Sequence, residues 1–422
     1  MISLLRQRNF ALLWWGGLIS MSGDWMLRIA LPAFVFQMTG STLATGAMFI
    51  AGQLPTLLLG SVAGVFVDRW DRKRTMVIAN LLMMVGLIPL GLVRSVEWIW
   101  VVYLVAFWQS CIGQFFNPAE NALLPTLVEE EKLVTANSLN ALNNNVARLI
   151  GPALGGVLAL SLGLYGVALL DALTFAVAAG MIALITTPER SVPEVKPSEM
   201  NVQAQWISVW REWRAGLAVV AQTPTLRVLF TIIALWALGE GIMSVLFVPF
   251  VTEVLQGQAL EVGWLMSAQA IGGLVGGVVM AKVGERIPPA LLLGPCSILF
   301  GLIDLAIFNY SLFFSGFMIG VVLFILVGVP GAGSFSSLMT LLQTSVSDEY
   351  RGRLFGAVTT TFGVVALMGM VIATVFGDMV GILPMINVQG IAPVLGGLVA
   401  MVGLRERGKE QGETATATGT AN

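Results

Sequence analysis

The stretch Gly60-Ser-Val-Ala-Gly64-Val-Phe-Val-Asp68-Arg69-Trp70-Asp71-Arg72-Lys73-Arg74 turns from apolar to densely basic within a few residues. Gly60, Gly64 and Asp68 are four apart and share one helix face, where the glycines let a neighbouring helix approach closely. Asp68 falls at the helix C-terminus, where the dipole disfavours negative charge, so an arginine or another helix N-terminus should stabilise it. A plain basic loop that fixes topology is the simpler reading, and Arg72–Arg74 serve that purpose in either case. Much of the pattern occurs twice: Gly60-x3-Gly64-x4-Arg69 returns as Gly273-x3-Gly277-x4-Lys282, with Ala281 where Asp68 stands. Leu123-Leu124-Pro125-Thr126 returns as Leu341-Leu342-Gln343-Thr344, and Asp24 before Pro32 is matched by Glu240 before Pro249. The three offsets are 213, 218 and 216 residues. The chain therefore reads as two related halves.

Composition sets the medium. Of 422 residues, 57% are hydrophobic and 11% charged, far below the roughly 25% charge of a soluble domain. Runs such as Leu154–Ala183 and Leu312–Val329 carry almost no charge, as bilayer spans require. Residues 10–36, 43–67, 75–94, 98–124, 138–161, 163–186, 227–252, 260–282, 289–309, 312–343, 353–377 and 380–403 read as twelve spans. Of 22 Lys and Arg, all but Arg28, Arg94 and Arg148 lie at the termini or in the loops after even-numbered spans. By the positive-inside rule both termini are cytoplasmic, in a plasma membrane of bacterial inner-membrane type. The first span follows Arg8 with no small-residue cleavage site and reads as a retained helix.

The expected fold is all-α: twelve transmembrane helices in two pseudo-symmetric six-helix bundles. Residues 1–186 form the first bundle, 187–225 a cytoplasmic linker, 226–404 the second bundle and 405–422 a disordered tail. Both halves begin on the same side, which is a parallel repeat, a transporter architecture with its site between the halves. In the linker, Trp206, Trp210, Trp213 and Leu217 follow helical spacing. They read either as an interfacial amphipathic helix or as a tryptophan-rich segment packed on the protein.

Several residue types are missing or misplaced for other functions. No histidine is present, and Cys111 and Cys296 lie far apart in apolar surroundings, so neither a metal site nor a disulfide framework is expected. No nucleophile–base set and no Gly-x4-Gly-Lys-Ser/Thr loop occurs, which argues against an enzyme and against ATP drive. No cofactor and no nucleic acid is expected; the partners are the lipid bilayer and a small amphipathic organic substrate, and the chain is expected to be a monomer.

The loop after span 2 resembles the Gly-x3-Asp-Arg-x-Gly-x-Arg-Lys-type hallmark of the major facilitator superfamily. Gly64, Asp68, Arg69, Arg72 and Lys73 match it, while Asp71 replaces the usual second glycine and the basic pair comes one residue early. In that family the motif, here with Gly60, latches the halves together in the outward-facing state. Span 5 carries Arg148-Leu-Ile-Gly151-Pro152-Ala-Leu-Gly155-Gly156. Pro152 has no N–H, so the Arg148 carbonyl loses its helical partner, and the helix should bend there. This element resembles the Gly-Pro-x-x-Gly-Gly hinge of the superfamily's antiporters. Further stretches resemble its macrolide-efflux and enterobactin-exporter-like carriers. These are Asn9-Phe10-x3-Trp14, Ser22-Gly23-Asp24, Ala30-Leu31-Pro32, Thr39-Gly40-Ser41, Phe116-Asn117-Pro118-Ala119, Ala136-Asn137-Ser138 and Tyr350-Arg351-Gly352-Arg353. The resemblance runs from Arg8 to Gly403 and does not specify a substrate.

Ionisable side chains inside spans cost roughly 2.5–3.5 kcal/mol each on insertion scales and need a reason. They are Asp24, Arg28, Glu120, Arg148, Asp171, Glu240 and Asp304. Asp24 and Arg28 are four apart and can pair. Asp24 is the expected proton-coupling site, with Glu240 its second-half counterpart, Asp171 a further candidate and Arg148 responding to protonation. The alternative is that these charges satisfy one another as packing. Asp304, in a span that the resemblance makes peripheral, is expected to matter chiefly for folding. Trp15, Trp25, Trp108, Phe115, Phe116, Trp236 and Phe335 are candidates to line a pocket for a bulky lipophilic solute. The functional expectation is a proton-coupled antiporter that exports a drug, macrolide or siderophore by alternating access. Its rivals are a lysophospholipid flippase and a non-transporting sensor.

Overall fold

The computed structural model describes residues 2–67, 69–186, 211, 213, 214, 216–218 and 220–404. Asp68, the linker tryptophans Trp206 and Trp210, and the expected tail from 405 onward lie outside these residues. The described elements are helical, and eleven helices are long and apolar enough to cross a membrane. In chain order they are α1 (Arg8–Thr39), α2 (Thr42–Val67), α3 (Arg72–Leu87), α4 (Ile99–Leu127), α5 (Leu133–Ala183) and α6 (Pro224–Pro249). There follow α7 (Ala259–Val283), α8 (Pro289–Asn309), α9 (Phe317–Thr344), α10 (Asp348–Val380) and α11 (Ile382–Gly403).

Eleven helices are compatible with the expected twelve passes because α5 comprises two helices, spans 5 and 6, that meet at a kink. At 51 residues it is about twice a bilayer span, and it bends at Gly163, whose φ of 65° and ψ of −177° are not helical. Only glycine takes such a backbone without strain, so the bend falls there. α3 is shorter than the span read from the sequence: it gives way at Ile88–Leu92 to a tighter helical turn opened by Pro89. α6 likewise passes into a wide turn at Phe250–Val254 after Pro249.

Small residues set the closest packing. A Cβ on Gly397 would stand 2.6 Å from the Gly294 carbonyl oxygen, so α8 and α11 meet backbone to backbone. In the first half α1 lies along α5, the most extensive helix pairing of the chain. Phe10, Leu13, Met76, Leu123, Leu139 and Ile182 fill the core at one end of that half. Met26, Val35, Met83, Val102, Val167 and Phe175 fill the other. Large apolar side chains such as Val134, Phe313 and Met379 stay exposed, which fits a lipid surround rather than water. Hydroxyls within spans bond the carbonyl four residues back, as Thr39 does to Val35 and Thr374 to Met370, because no water is there to take them.

Contacts divide the chain into two compact units. One comprises Met1–Ile207 with Phe247–Ser267, the other Ser208–Leu246 with Ala268–Asn422. The end of α6 and the start of α7 pack with the first unit. Within the second unit Trp213 is half-buried and its indole Nε1 donates to Thr361 Oγ1 at 3.4 Å. A Cβ on Gly216 would meet the Ala357 side chain at 2.7 Å, so this stretch lies tightly on α10. Trp213 and Leu217 border the core of Leu226, Leu229, Leu354 and Ala357.

Candidate functional site

In the first unit α1 carries the polar residues into the bundle. The Trp14 indole donates to the Leu139 carbonyl at 2.8 Å, and Asn143 Nδ2 returns a bond to the Trp14 carbonyl at 2.7 Å. These reciprocal bonds fix the register of α1 on α5. One turn further along, Gly17 makes room for Asn143 and for Glu120 of α4, whose Oε1 would lie 3.7 Å from a Cβ there. Two turns beyond, Gly23 makes room for Asp171. A side chain on Gly23 would collide with Asp171 Oδ1 and Thr174 Oγ1. Asp171 has no exposed surface; Thr174 donates to its Oδ1 at 3.1 Å, while its Oδ2 has no hydrogen-bond partner. Asp171 feels the charge of Asp24, the residue after Gly23.

Arg28 acts on Asp24 electrostatically without closing a contact ion pair; its guanidinium lies over the Trp25 ring, 5.0 Å from the centroid. The pairing expected from their spacing is therefore shared with an aromatic face. Arg148 is exposed and makes no ion pair with a described carboxylate.

The glycine–proline element of α5 packs on two helices through two faces. Gly151 and Gly155 face α1: a Cβ on Gly155 would stand 2.7 Å from the Met26 backbone, and one on Gly151 would strike the Trp25 side chain. Gly156 faces the start of α7, where a Cβ on it would stand 2.6 Å from the Ala259 carbonyl oxygen, while a Cβ on Gly263 of α7 would strike the Pro152 carbonyl. Ser267 Oγ donates to the Leu149 carbonyl at 2.8 Å. That carbonyl neighbours the Arg148 carbonyl that Pro152 leaves without a helical N–H, so the hydroxyl supports the helix where it is weakest.

The second unit repeats the arrangement with different chemistry. Gly239 precedes Glu240 on α6 as Gly23 precedes Asp24, and a Cβ on it would stand 2.5 Å from Gln389 Oε1. Gln389 lies 218 residues after Asp171, so an amide occupies the repeat position of the buried acid. The acid is on α8 instead: Asp304 is 4% exposed, feels Glu240 and has Gln389 as its polar neighbour, while its Oδ2 is unpartnered. The Ser244 hydroxyl donates to the backbone carbonyl of Glu240, whose side chain lies on an exposed position.

Around the loop after α2, Asp71 has a structural task. Its Oδ1 accepts from the Arg74 backbone N–H at 2.6 Å and caps α3. The substitution of aspartate for the family's second glycine thus starts the next helix. Arg72 Nη1 donates to the Ala122 carbonyl at 2.7 Å. Arg69 Nη1 is buried without a partner among the described residues, and Lys73 is half-buried. Trp70 stacks on Phe115, centroids 5.8 Å apart. Gly60 would meet Gln114 Oε1 at 3.4 Å, while no described atom lies within 4 Å of a Cβ on Gly64, Gly273 or Gly277.

The aromatic candidates separate. Trp108 donates to the Leu82 carbonyl at 2.9 Å and lies on Gly86, which commits it to the α3–α4 contact. Trp236 packs at Gly396 with a buried, unpartnered Nε1, and Phe116 packs into the first-unit core. Trp15 and Phe335 are exposed. Trp25 lies between Arg28 and Gly151 and next to Asp24 in the chain. The sequence marks Gly23 only within the stretch Ser22-Gly23-Asp24, and Thr174, Ser267 and Gln389 are not among its candidates. The repeat offset was the signal available for Gln389, and nothing in the sequence marks Ser267.

A family model described as transmembrane secretion effector matches residues 1–417. Macrolide efflux protein A of Streptococcus pyogenes is 26% identical over 377 residues, covering 89% of this chain and 90% of that protein. The multidrug efflux pump Tap of Mycolicibacterium fortuitum is 26% identical over 395 residues, covering 90% and 92%. The fold is similar to the crystal structure of a bacterial homologue of the iron transporter ferroportin in its inward-facing state. That likeness has a TM-score of 0.75 at 17% identity, over 94% of this chain and 98% of that one.

Proposed function

Because the chain belongs to the transmembrane secretion effector family of major facilitator transporters, we propose that it exports an amphipathic organic solute in exchange for protons, by alternating access. The family and the efflux proteins it is similar to make it a membrane transporter of the drug- and macrolide-efflux type, and not an enzyme. The exchange of protons rests on one observation. Asp171 is wholly buried against Gly23, within reach of the Asp24 charge, and one of its oxygens has no donor. A buried carboxylate oxygen without a donor is a place for a proton, and a second acid one residue from the notch gives that proton a neighbour to pass to.

In this reading Asp24 exchanges the proton and Asp171 shares it, with Arg28 and Trp25 holding Asp24 when it is charged. Glu120 is a second acid on the same unit, and Glu240 is the counterpart in the other. Arg148 answers to the charge state of α1 across the Gly151–Trp25 contact. The Gly151-Pro152 and Gly155-Gly156 element supplies the bend, and Gly60, Gly64, Asp68, Arg69, Arg72 and Lys73 the latch. The carrier lies in a bacterial inner membrane with both termini cytoplasmic, consistent with where its cations fall in the sequence.

The test is pH-gradient-driven flux of a macrolide by purified protein in liposomes. Asp24→Asn is expected to abolish gradient-driven flux while leaving downhill solute exchange. Full gradient-driven flux in Asp24→Asn would refute the coupling assigned to Asp24. Transport of lysophospholipid analogues without dependence on the gradient would favour a flippase instead.

A further inference from the structure

A cavity of about 640 Å³ opens in the first unit where two helices break side by side. One wall is the tight turn Ile88–Leu92 that ends α3, followed by the extended Val93 and Arg94; the other is the bend of α5 at Gly163. Phe34 of α1 closes the back. The two walls touch through Gly91 and the ring of Tyr165, which would lie 2.9 Å from a Cβ on that glycine. The position of a Cβ on Gly163 has nothing within 4 Å, so the bend leaves open space.

The chemistry of the rim is specific. Ile88 and Tyr165 are 66% and 60% exposed, and Leu92 and Leu162 are exposed beside them. Arg94 stands among them, exposed, with no ion pair and no side-chain hydrogen bond to a described residue. α3 starts in the basic loop and is 16 residues long, so its far end lies roughly 24 Å away. The cavity is therefore at the opposite membrane boundary, where Arg94, at the end of the third span, is the one cation the sequence places. Next in the chain, Trp98 and Trp100 stack with centroids 6.2 Å apart and stay exposed. Paired tryptophans of this kind sit at headgroup depth. A pocket that joins the apolar side chains of Phe34, Leu92 and Leu162 to polar backbone and one unpaired guanidinium at headgroup level matches a molecule that has a hydrocarbon tail and a phosphate at its boundary.

We infer that this cavity binds a phospholipid of the leaflet opposite the basic loops. Arg94 takes the headgroup phosphate and Phe34, Leu92 and Leu162 take an acyl chain. The site is independent of the acids discussed above and of any coupling by them.

Native mass spectrometry of the full-length protein in detergent tests this, with phosphatidylglycerol, diacylglycerol of the same chains, and inorganic phosphate as probes. The intact protein is expected to retain phosphatidylglycerol in preference to diacylglycerol. Arg94→Gln should weaken phosphatidylglycerol retention about fivefold, as loss of one interfacial cation implies, and leave diacylglycerol unchanged. Arg94→Lys should restore most of it. Leu162→Trp, which fills the cavity, should weaken both lipids; if that variant does not fold, the Arg94 pair decides alone. Equal retention of phosphatidylglycerol by the wild type and Arg94→Gln would overturn the inference. So would displacement of the lipid by millimolar inorganic phosphate, or by an exported macrolide acting through Arg94.

Discussion

Gly23-Asp24 with Asp171 in one unit, and Gly239-Glu240 with Gln389 and Asp304 in the other, begin from the same design. In each, a glycine opens a notch in the first helix of the half, an acid follows it, and a polar side chain from the last helix of the half fills the notch. The fillings differ. Asp171 brings a second carboxyl to the notch, whereas Gln389 brings an amide, and the second acid of that unit comes from α8. The repeat has kept the space and changed the titratable group. Asp171 packs against Gly23 and feels the charge of Asp24, while an amide set beside Asp304 holds that acid in a hydrogen bond. Under the function proposed above, the first unit would carry the proton exchange and the second would serve chiefly for packing.

The sharpest way to break this contrast is to turn the first site into the second. Asp171→Asn keeps the shape and puts an amide in the notch, and should lower gradient-driven export about thirtyfold, or ~2 kcal/mol. Asp304→Asn should change the same liposome flux less than about threefold. Equal losses would mean that the two acids are equivalent. The notch itself is tested by Gly23→Ala, which drives a methyl group into Asp171 and Thr174 and should destabilise by about 1.5 kcal/mol. Gly239→Ala meets the amide end of Gln389 at 2.5 Å and the Cα of that residue at 3.1 Å, one colliding atom fewer than at Gly23, and should cost about 1 kcal/mol. Thermal unfolding in detergent reads both, and a reversed order would show that Gln389 is the more rigid neighbour. The smallest effect is expected from Glu240→Gln, a loss of export of about threefold or less. A loss as large as that of Asp171→Asn would move the coupling to the second unit.

The spans were legible because a bilayer demands long uncharged runs, and charge counts the loops almost by itself. Gly163 is an instructive case: the sequence places a boundary between spans 5 and 6 there, and in the structure the helical backbone breaks at that residue, with φ 65° and ψ −177°. The hinge motif was legible as a string, but its use of alternate faces, Gly151 and Gly155 toward α1 and Gly156 toward α7, was not. Trp108 was chosen for a pocket by residue type, yet its indole is bonded to Leu82. Aromatic composition carries no direction, and only a neighbour such as Gly86 fixes where a ring points.

By itself, then, the sequence determined the medium, the number of passes, the repeat and the set of charges needing an explanation. Hydropathy and charge are properties of single residues summed along the chain, and these features depend on nothing else. Only the tertiary structure decided which acids lie within range of one another. Asp171 is 147 residues from Asp24, yet it packs on Gly23, the residue beside Asp24, in the space the missing side chain leaves. Ser267 reaches the Leu149 carbonyl for the same reason, since helix-to-helix contact is set by the fit of side chains across a boundary that no local pattern records.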